Sequence, residues 1–199
     1  MKKRLVTPLT AALAILGVFA ATHVSVMAAN DYVESIRSAV VPEVQSWVAD
    51  PMVISAVKAQ NQSHSGLTQS EIDKMDKQWR SETSAGGGAL INEILGNDLS
   101  KYLGGIKAIG GGVYTEIFVM DNKGLNVGQS DVTSDYWQGD EPKWKKTYLA
   151  GVDAILIDDV EFDESTQTFQ SQLSLSVVDP DTGETVGAVT IGVNVDMLQ

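Results

Sequence analysis

The densest run of chemically capable side chains lies between Asp131 and Trp144. There Tyr136, Trp137 and Trp144 are interleaved with the carboxylates Asp131, Asp135, Asp140 and Glu141. Aromatic faces attract a cation and a carboxylate neutralises it, so the pattern suits a small amine or quaternary ammonium ligand. A structural reading stands beside that one. Trp137 and Trp144 would staple the loop to the sheet, and Asp140 would cap the helix that follows. A second acidic run, Asp158-Asp159-Val160-Glu161-Phe162-Asp163-Glu164, could offer Ca²⁺ the carboxylates of Asp159, Glu161 and Asp163, which strand alternation sends to one face. It follows no metal-loop pattern, and a solvated acidic strand end is the plainer expectation; no metal site is expected.

Signatures of catalysis are missing. There is no Gly-x-Ser-x-Gly, no phosphate loop and no His-Glu-x-x-His. Gly110-Gly111-Gly112 precedes a strand, the reverse of the order that cradles phosphate. The chain has no cysteine, which removes thiolate catalysis, disulfides and Cys-ligated metals. Its two histidines are His23 and His64. No catalytic residue and no cofactor is expected; paired carboxylates are the one remaining route to an enzyme.

The elements that must position these residues follow from periodicity. Val33, Ile36, Val40, Val44, Trp47 and Val48 mark an apolar stripe of helical period over roughly 30–60, interrupted at Pro42. Asp50-Pro51 starts a second, shorter helix, Asn61–Gly66 reads as a loop, and Ser70 with Asp73 predicts the start of a third helix. Glycines after Ser84 end it, and a fourth helix is expected over 89–103. After Gly112 the period becomes two. Strands are expected at 113–121, 125–130, 154–162, 168–178 and 185–195, with tight turns at Asp121-Asn122-Lys123-Gly124 and Asp179-Pro180-Asp181-Thr182-Gly183. The sum is an α+β domain: a long N-terminal helix and further helices packed on a five-stranded antiparallel sheet. Its helical part runs over 29–112, its sheet over 113–199, and the candidate ligand loop over 131–149.

The chain has 199 residues, 43% hydrophobic and 20% charged, as a globular protein does. Met1-Lys2-Lys3-Arg4, an apolar stretch and Val26-Met27-Ala28 form a three-part export signal cut after Ala28. The competing reading is an uncleaved anchor, since 5–29 carries no Asp, Glu, Lys or Arg. Both place the domain outside the cytoplasm, in the periplasm or beyond. The signal holds three of the 14 basic residues, leaving 11 against 26 acidic. So acidic a surface repels phosphate backbones and argues against nucleic acid.

Two segments carry a resemblance. They are EIFVMDNKGLNVGQSDVTSDYWQGDEPKW and FDESTQTFQSQLSLSVVDPDTGETVGAVTIGVNVDML. With the helical stretch before them, they resemble a single Cache domain, the PAS-like extracytoplasmic sensor module of bacterial receptors. The marks are Asp121-x-x-Gly124 after a strand, a return strand ending near Ser130, and the Asp135-Tyr136-Trp137 loop. Ser176-Val177-Val178-Asp179, then Gly187-Ala188-Val189 and a last strand to Val195, complete the set. The resemblance covers roughly 31–199. It implies a long N-terminal helix leading into a five-stranded sheet, with a small ligand on one sheet face under the loop between the second and third strands. The residues matching that loop are Tyr136, Trp137, Asp140, Glu141 and Trp144.

Two departures shape the expectation. Membrane-bound members continue past the last strand, whereas this sequence stops at Gln199, as a free-standing exported sensor would. Occupancy would then pass to a membrane receptor partner. Amino-acid-binding members carry an Arg in the pocket loop and an Asp in the last strand. Here no arginine follows Arg80, and the last-strand position is Gly192; Lys143, Lys145 or Lys146 could stand in for the Arg. The implied function is a non-enzymatic small-molecule sensor that transduces a signal. The rival is an interaction or structural module, without a small ligand, that forms a homodimer through the N-terminal helix.

Overall fold

The computed structural model describes residues 32–163 and 167–198. The export or anchor segment over 1–28 lies outside them. Among the described residues no helix is long and apolar enough to cross a membrane.

The first helix starts at Tyr32, passes through a π-helical stretch at Ile36–Val40, and continues as α1 (Val41–Val48). Pro42 is the cause: it has no N–H for the carbonyl four residues back, and its ring crowds that turn. Ile36, Val40, Val44, Trp47 and Val48 are buried along one stripe. Asp50 accepts the Met52 amide at 2.8 Å and starts α2 (Pro51–Ser63), with Pro51 in the first turn. This helix is longer than α1 and takes in residues expected as loop. The third helix, α3 (Gln69–Ser84), is capped at Thr68, two residues before the expected cap Ser70. Thr68 and Glu71 form its capping box, while Asp73 accepts from Gln69. Thr68 wins because Glu71 can reach back to its amide. The fourth expected helix is two: α4 (Ala89–Gly96) and α5 (Asp98–Ile109). Asn97 separates them, its carboxamide accepting from Ser100 N and donating to Val127 O, both at 2.8 Å.

The sheet is antiparallel and six-stranded: β1 (Tyr114–Met120), β2 (Asn126–Gln129), β3 (Ile155–Ile157), β4 (Glu161–Asp163), β5 (Thr168–Val178) and β6 (Thr185–Asn194). The order is β2-β1-β6-β5-β3, with β4 also on β5. The α+β class is as expected; the strand count is one higher. The segment expected as one strand over 154–162 pairs with β5 in two places, at Leu173–Leu175 and at Thr168–Gln170. Between them the Ser171 hydroxyl takes the Asp158 carbonyl at 2.6 Å, which replaces a ladder bond and splits the strand. Between β2 and β3 lie α6 (Pro142–Lys145) and a 3₁₀ turn at Tyr148–Ala150.

Strand alternation divides the sheet into two faces. Ile117, Val119, Leu173, Leu175, Val189 and Ile191 face the helices and form the main core. Fully burying each such side chain contributes about 1.5–3 kcal/mol. A second cluster, with Trp79, Ile91, Leu125 and Tyr136, joins α3 and α4 to the loop after β2. The opposite sheet face carries Phe118, Met120 and Ala188 under Trp144 and Tyr148.

Candidate functional site

That opposite face grades from apolar to polar along the strands. The pairing aligns Met120, Ala188 and Ser176 in one row, then Phe118, Thr190 and Ser174, then Glu116, Gly192 and Gln172. Trp144 and Tyr148 stack at 5.1 Å over the apolar end. Lys143 lies with its ammonium 5.6 Å from the Phe118 ring and 2.8 Å from Glu141 Oε2. In the middle row Ser174 and Thr190 hydrogen-bond to each other at 2.9 Å.

The third row sets polar side chains on either side of a glycine. Gln172 Nε2 donates to Glu116 Oε1 at 3.1 Å, and the Thr115 hydroxyl donates to Gln170 Oε1. A Cβ on Gly192 would run into Thr115 Oγ1 and Glu116 Cγ, so glycine leaves the room these side chains occupy. Beside this row a cavity of about 290 Å³ is lined by Asp158, Asp159, Glu161, Gln170 and Gln172. Burial pushes the Glu116 carboxyl above the usual carboxylate range, against the opposing pull of Lys143 and of the Gln172 hydrogen bond. Burial raises Asp158 in the same way, against Lys146 and Lys143. The cavity and the row beside it therefore set carboxylates raised by burial beside neutral amides.

The five loop residues singled out by sequence fall on two sides. Trp144 is buried in the sheet-face cluster, and Glu141 reaches that face through Lys143. Tyr136 belongs to the helix-side cluster, stacked 5.4 Å from Trp79. Trp137 packs against the same cluster and donates its indole N–H to Lys123 O at 2.8 Å. Asp140 is exposed and makes no helix cap; its carbonyl accepts from Lys145, and the N-cap position of α6 is Glu141. Both indoles in the loop tie it to the β1–β2 turn, Trp144 through Asp121 O at 3.0 Å.

Residues that sequence reasoning passed over organise the rest. Asp76, on the inner stripe of α3 between Met75 and Trp79, accepts the backbone amides of Tyr136 and Trp137 at 3.0 and 3.1 Å. Arg80 pairs with both Asp76 and Asp135, so an arginine does reach the loop, but on the helix side. A lone acid on an apolar helix stripe was the signal for Asp76. A lone acid inside the apolar run Tyr114–Met120 was the signal for Glu116. Of the three carboxylates considered for Ca²⁺, Asp159 and Glu161 share the cavity wall, while Asp163 ends β4 and is not part of that wall; Glu164 of the same acidic run lies outside the described residues. Among the described residues no three acidic or histidine side chains stand close enough to hold a metal.

No protein-family model matches the chain, and no curated protein matches its sequence. Solved structures resemble it loosely. The sensor domain of the V. cholerae histidine kinase DctB aligns at 12% identity and TM-score 0.41, over 86% of this chain and 58% of that one. The sensory domain of the Campylobacter jejuni chemoreceptor Tlp3 aligns at 12% and 0.41, over 87% and 62%. The ligand-binding domain of the Pseudomonas fluorescens chemoreceptor CtaA, in complex with L-serine, aligns at 12% and 0.33, over 63% and 59%. The chain spans less than two thirds of each. These neighbours are sensor or ligand-binding domains of receptors, and the reading of this site rests on its own geometry.

Proposed function

We propose that the chain is a small-molecule-binding sensor domain of the single Cache kind. Its ligand is an amine or quaternary ammonium compound held on the sheet face beside α6. The observation that carries this is the Glu116–Gly192–Gln172 row: β1 and β5 bring a carboxyl and a carboxamide together across a glycine of β6, at the edge of a cavity. An antiparallel face closed only for stability would place apolar side chains there. The 290 Å³ cavity is at the small end of ligand pockets, suited to a head group of choline size. Lys143 is neutralised by Glu141, so the net charge of the walls is negative. The Trp144–Tyr148 stack at the α6 end is placed to respond to occupancy, and α6 carries that response to the β1–β2 turn. Delivery through 1–28 puts the domain outside the cytoplasm, where a membrane receptor partner reads its state.

A thermal-shift series with choline, putrescine, L-serine and Ca²⁺ tests the reading. A cation at 100 times its Kd adds about 2.7 kcal/mol, a shift of several degrees. The shift is expected with choline or putrescine and is expected to vanish in Gln172→Ala. A response to L-serine alone, or to none of the four, overturns the amine reading.

One observation favours the rival interaction module. Phe162 and Phe169 face each other across β4 and β5 as an edge-on pair, 49% and 51% exposed. Exposed paired aromatics on an outer hairpin are the kind of patch a protein partner covers. Self-association that Phe162→Ser abolishes, with no small-molecule response, selects that reading.

A further inference from the structure

A cavity larger than the sheet-face one lies on the other side of the sheet. A groove of about 710 Å³ runs between α2, α4 and the start of α5, floored by β2. Met52, Ala56, Leu90, Ile94 and Leu99 give it apolar walls. At one end stands His64, whose Nδ1 lies 3.0 Å from Asp121 Oδ2. Asp121 is fully buried, and its carboxylate also accepts from Gln60, Lys123 N and Leu125 N at 2.8–3.0 Å. An acceptor so surrounded by donors assigns the His64 proton to Nδ1. In that tautomer of the neutral ring, Nε2 is a lone-pair acceptor. Tyr136 also lines the groove. Burial, with Asp121 and Glu93 nearby, pushes its phenol up, so its hydroxyl stays a donor.

We infer that this groove is a second ligand site, separate from the sheet-face cavity, for a neutral apolar molecule ending in a hydroxyl, an alcohol or a phenol. A hydroxyl can donate to His64 Nε2 and accept from Tyr136, while its hydrocarbon body fills the apolar walls. Glu93 and Asp98 also line the groove and turn away carboxylates. The volume falls within the range of pockets that enclose small organic ligands. Asp121 gives the site a connection: its carboxylate orients His64, and its carbonyl holds Trp144 of the opposite face.

The test uses the full chain labelled with ¹⁵N at histidine. Of its two imidazoles, the His64 signals are assigned by their loss in His64→Gln. Titration with p-cresol is expected to move the His64 Nε2 resonance saturably; toluene and benzoate are expected to bind at least tenfold more weakly. Ala59→Trp fills the groove from an exposed position on α2 and is expected to weaken p-cresol binding at least tenfold with an unchanged Tm. Glu116→Gln, in the sheet-face cavity, is expected to leave p-cresol binding unchanged. An unmoved His64 signal at millimolar p-cresol overturns the proposal, as does equal binding of toluene. So does a change of oligomeric state in Ala59→Trp, which would make the groove an interface.

Discussion

The indole N–H of Trp144 donates to the backbone carbonyl of Asp121 at 3.0 Å. Together with the Trp137–Lys123 bond, it ties the loop over the sheet to the turn between β1 and β2. The Asp121 carboxylate is meanwhile held from α2 by Gln60 and His64. Helical layer, hairpin turn and candidate ligand loop therefore meet at one buried residue. Trp144→Ala should cost about 3–5 kcal/mol, as large-to-small core changes do. Trp144→Phe keeps most of the packing and loses the bond, about 1 kcal/mol. Urea denaturation of the two variants separates the two contributions.

Asp76 closes the helix side of the same loop. Asp76→Ala leaves the Tyr136 and Trp137 amides without their acceptor, at about 1–3 kcal/mol for each buried group left unpaired. Arg80→Ala removes a cation whose side chain is 58% exposed and should cost less than about 1 kcal/mol. Equal losses in the two variants would mean that the ion pair, rather than the amide contacts, holds the loop.

Glu116 makes stability depend on pH in a defined direction. Its folded carboxyl lies above the unfolded value of about 4.3, so its contribution is present below that pH and is lost as pH rises through the folded pKa. Glu116→Gln should therefore raise Tm at pH 7 and leave it nearly unchanged at pH 4. A cationic ligand favours the ionised carboxylate, so wild-type affinity for choline or putrescine should increase with pH over the same window. Parallel Tm–pH curves for wild type and variant would show that burial of Glu116 is without consequence.

Gly124 should tolerate no side chain. Its φ of +82° lies in the left-handed region, and an added Cβ would stand 2.5 Å from the Gly139 backbone. Moving Gly139 means moving the Trp137–Lys123 contact with it. Gly124→Ala should cost more than about 2 kcal/mol, strain and overpacking combined. Thermal unfolding that differs by less than a degree would contradict this.

Features governed by neighbours in the chain could be read directly. Asp50-Pro51, Asp121-x-x-Gly124 and the Asp179–Gly183 turn each act through their own side chains or φ angles, and each appears where the residues demand it. The period of two likewise revealed β5 and β6 as strands, although both faces of their central residues are buried. Local rules fell short where two local solutions competed. Ser70 and Thr68 both fit a helix start, and the longer reach of Glu71 selected Thr68. The break at Asn97 depends on a carbonyl in β2, which no neighbour in the chain supplies.

The aromatic and acidic loop was legible as a group because its members are adjacent in sequence. Their division between two faces was not, because it depends on partners that arrive from elsewhere. Tyr136 is claimed by Trp79 of α3, and Trp144 by Phe118 of β1. The Glu116–Gly192–Gln172 row has no sequence signature as a set. Its members are far apart in the chain and become neighbours only through the register of β1, β6 and β5. Composition and period settle which residues turn inward; the pairing of distant strands settles which of them meet.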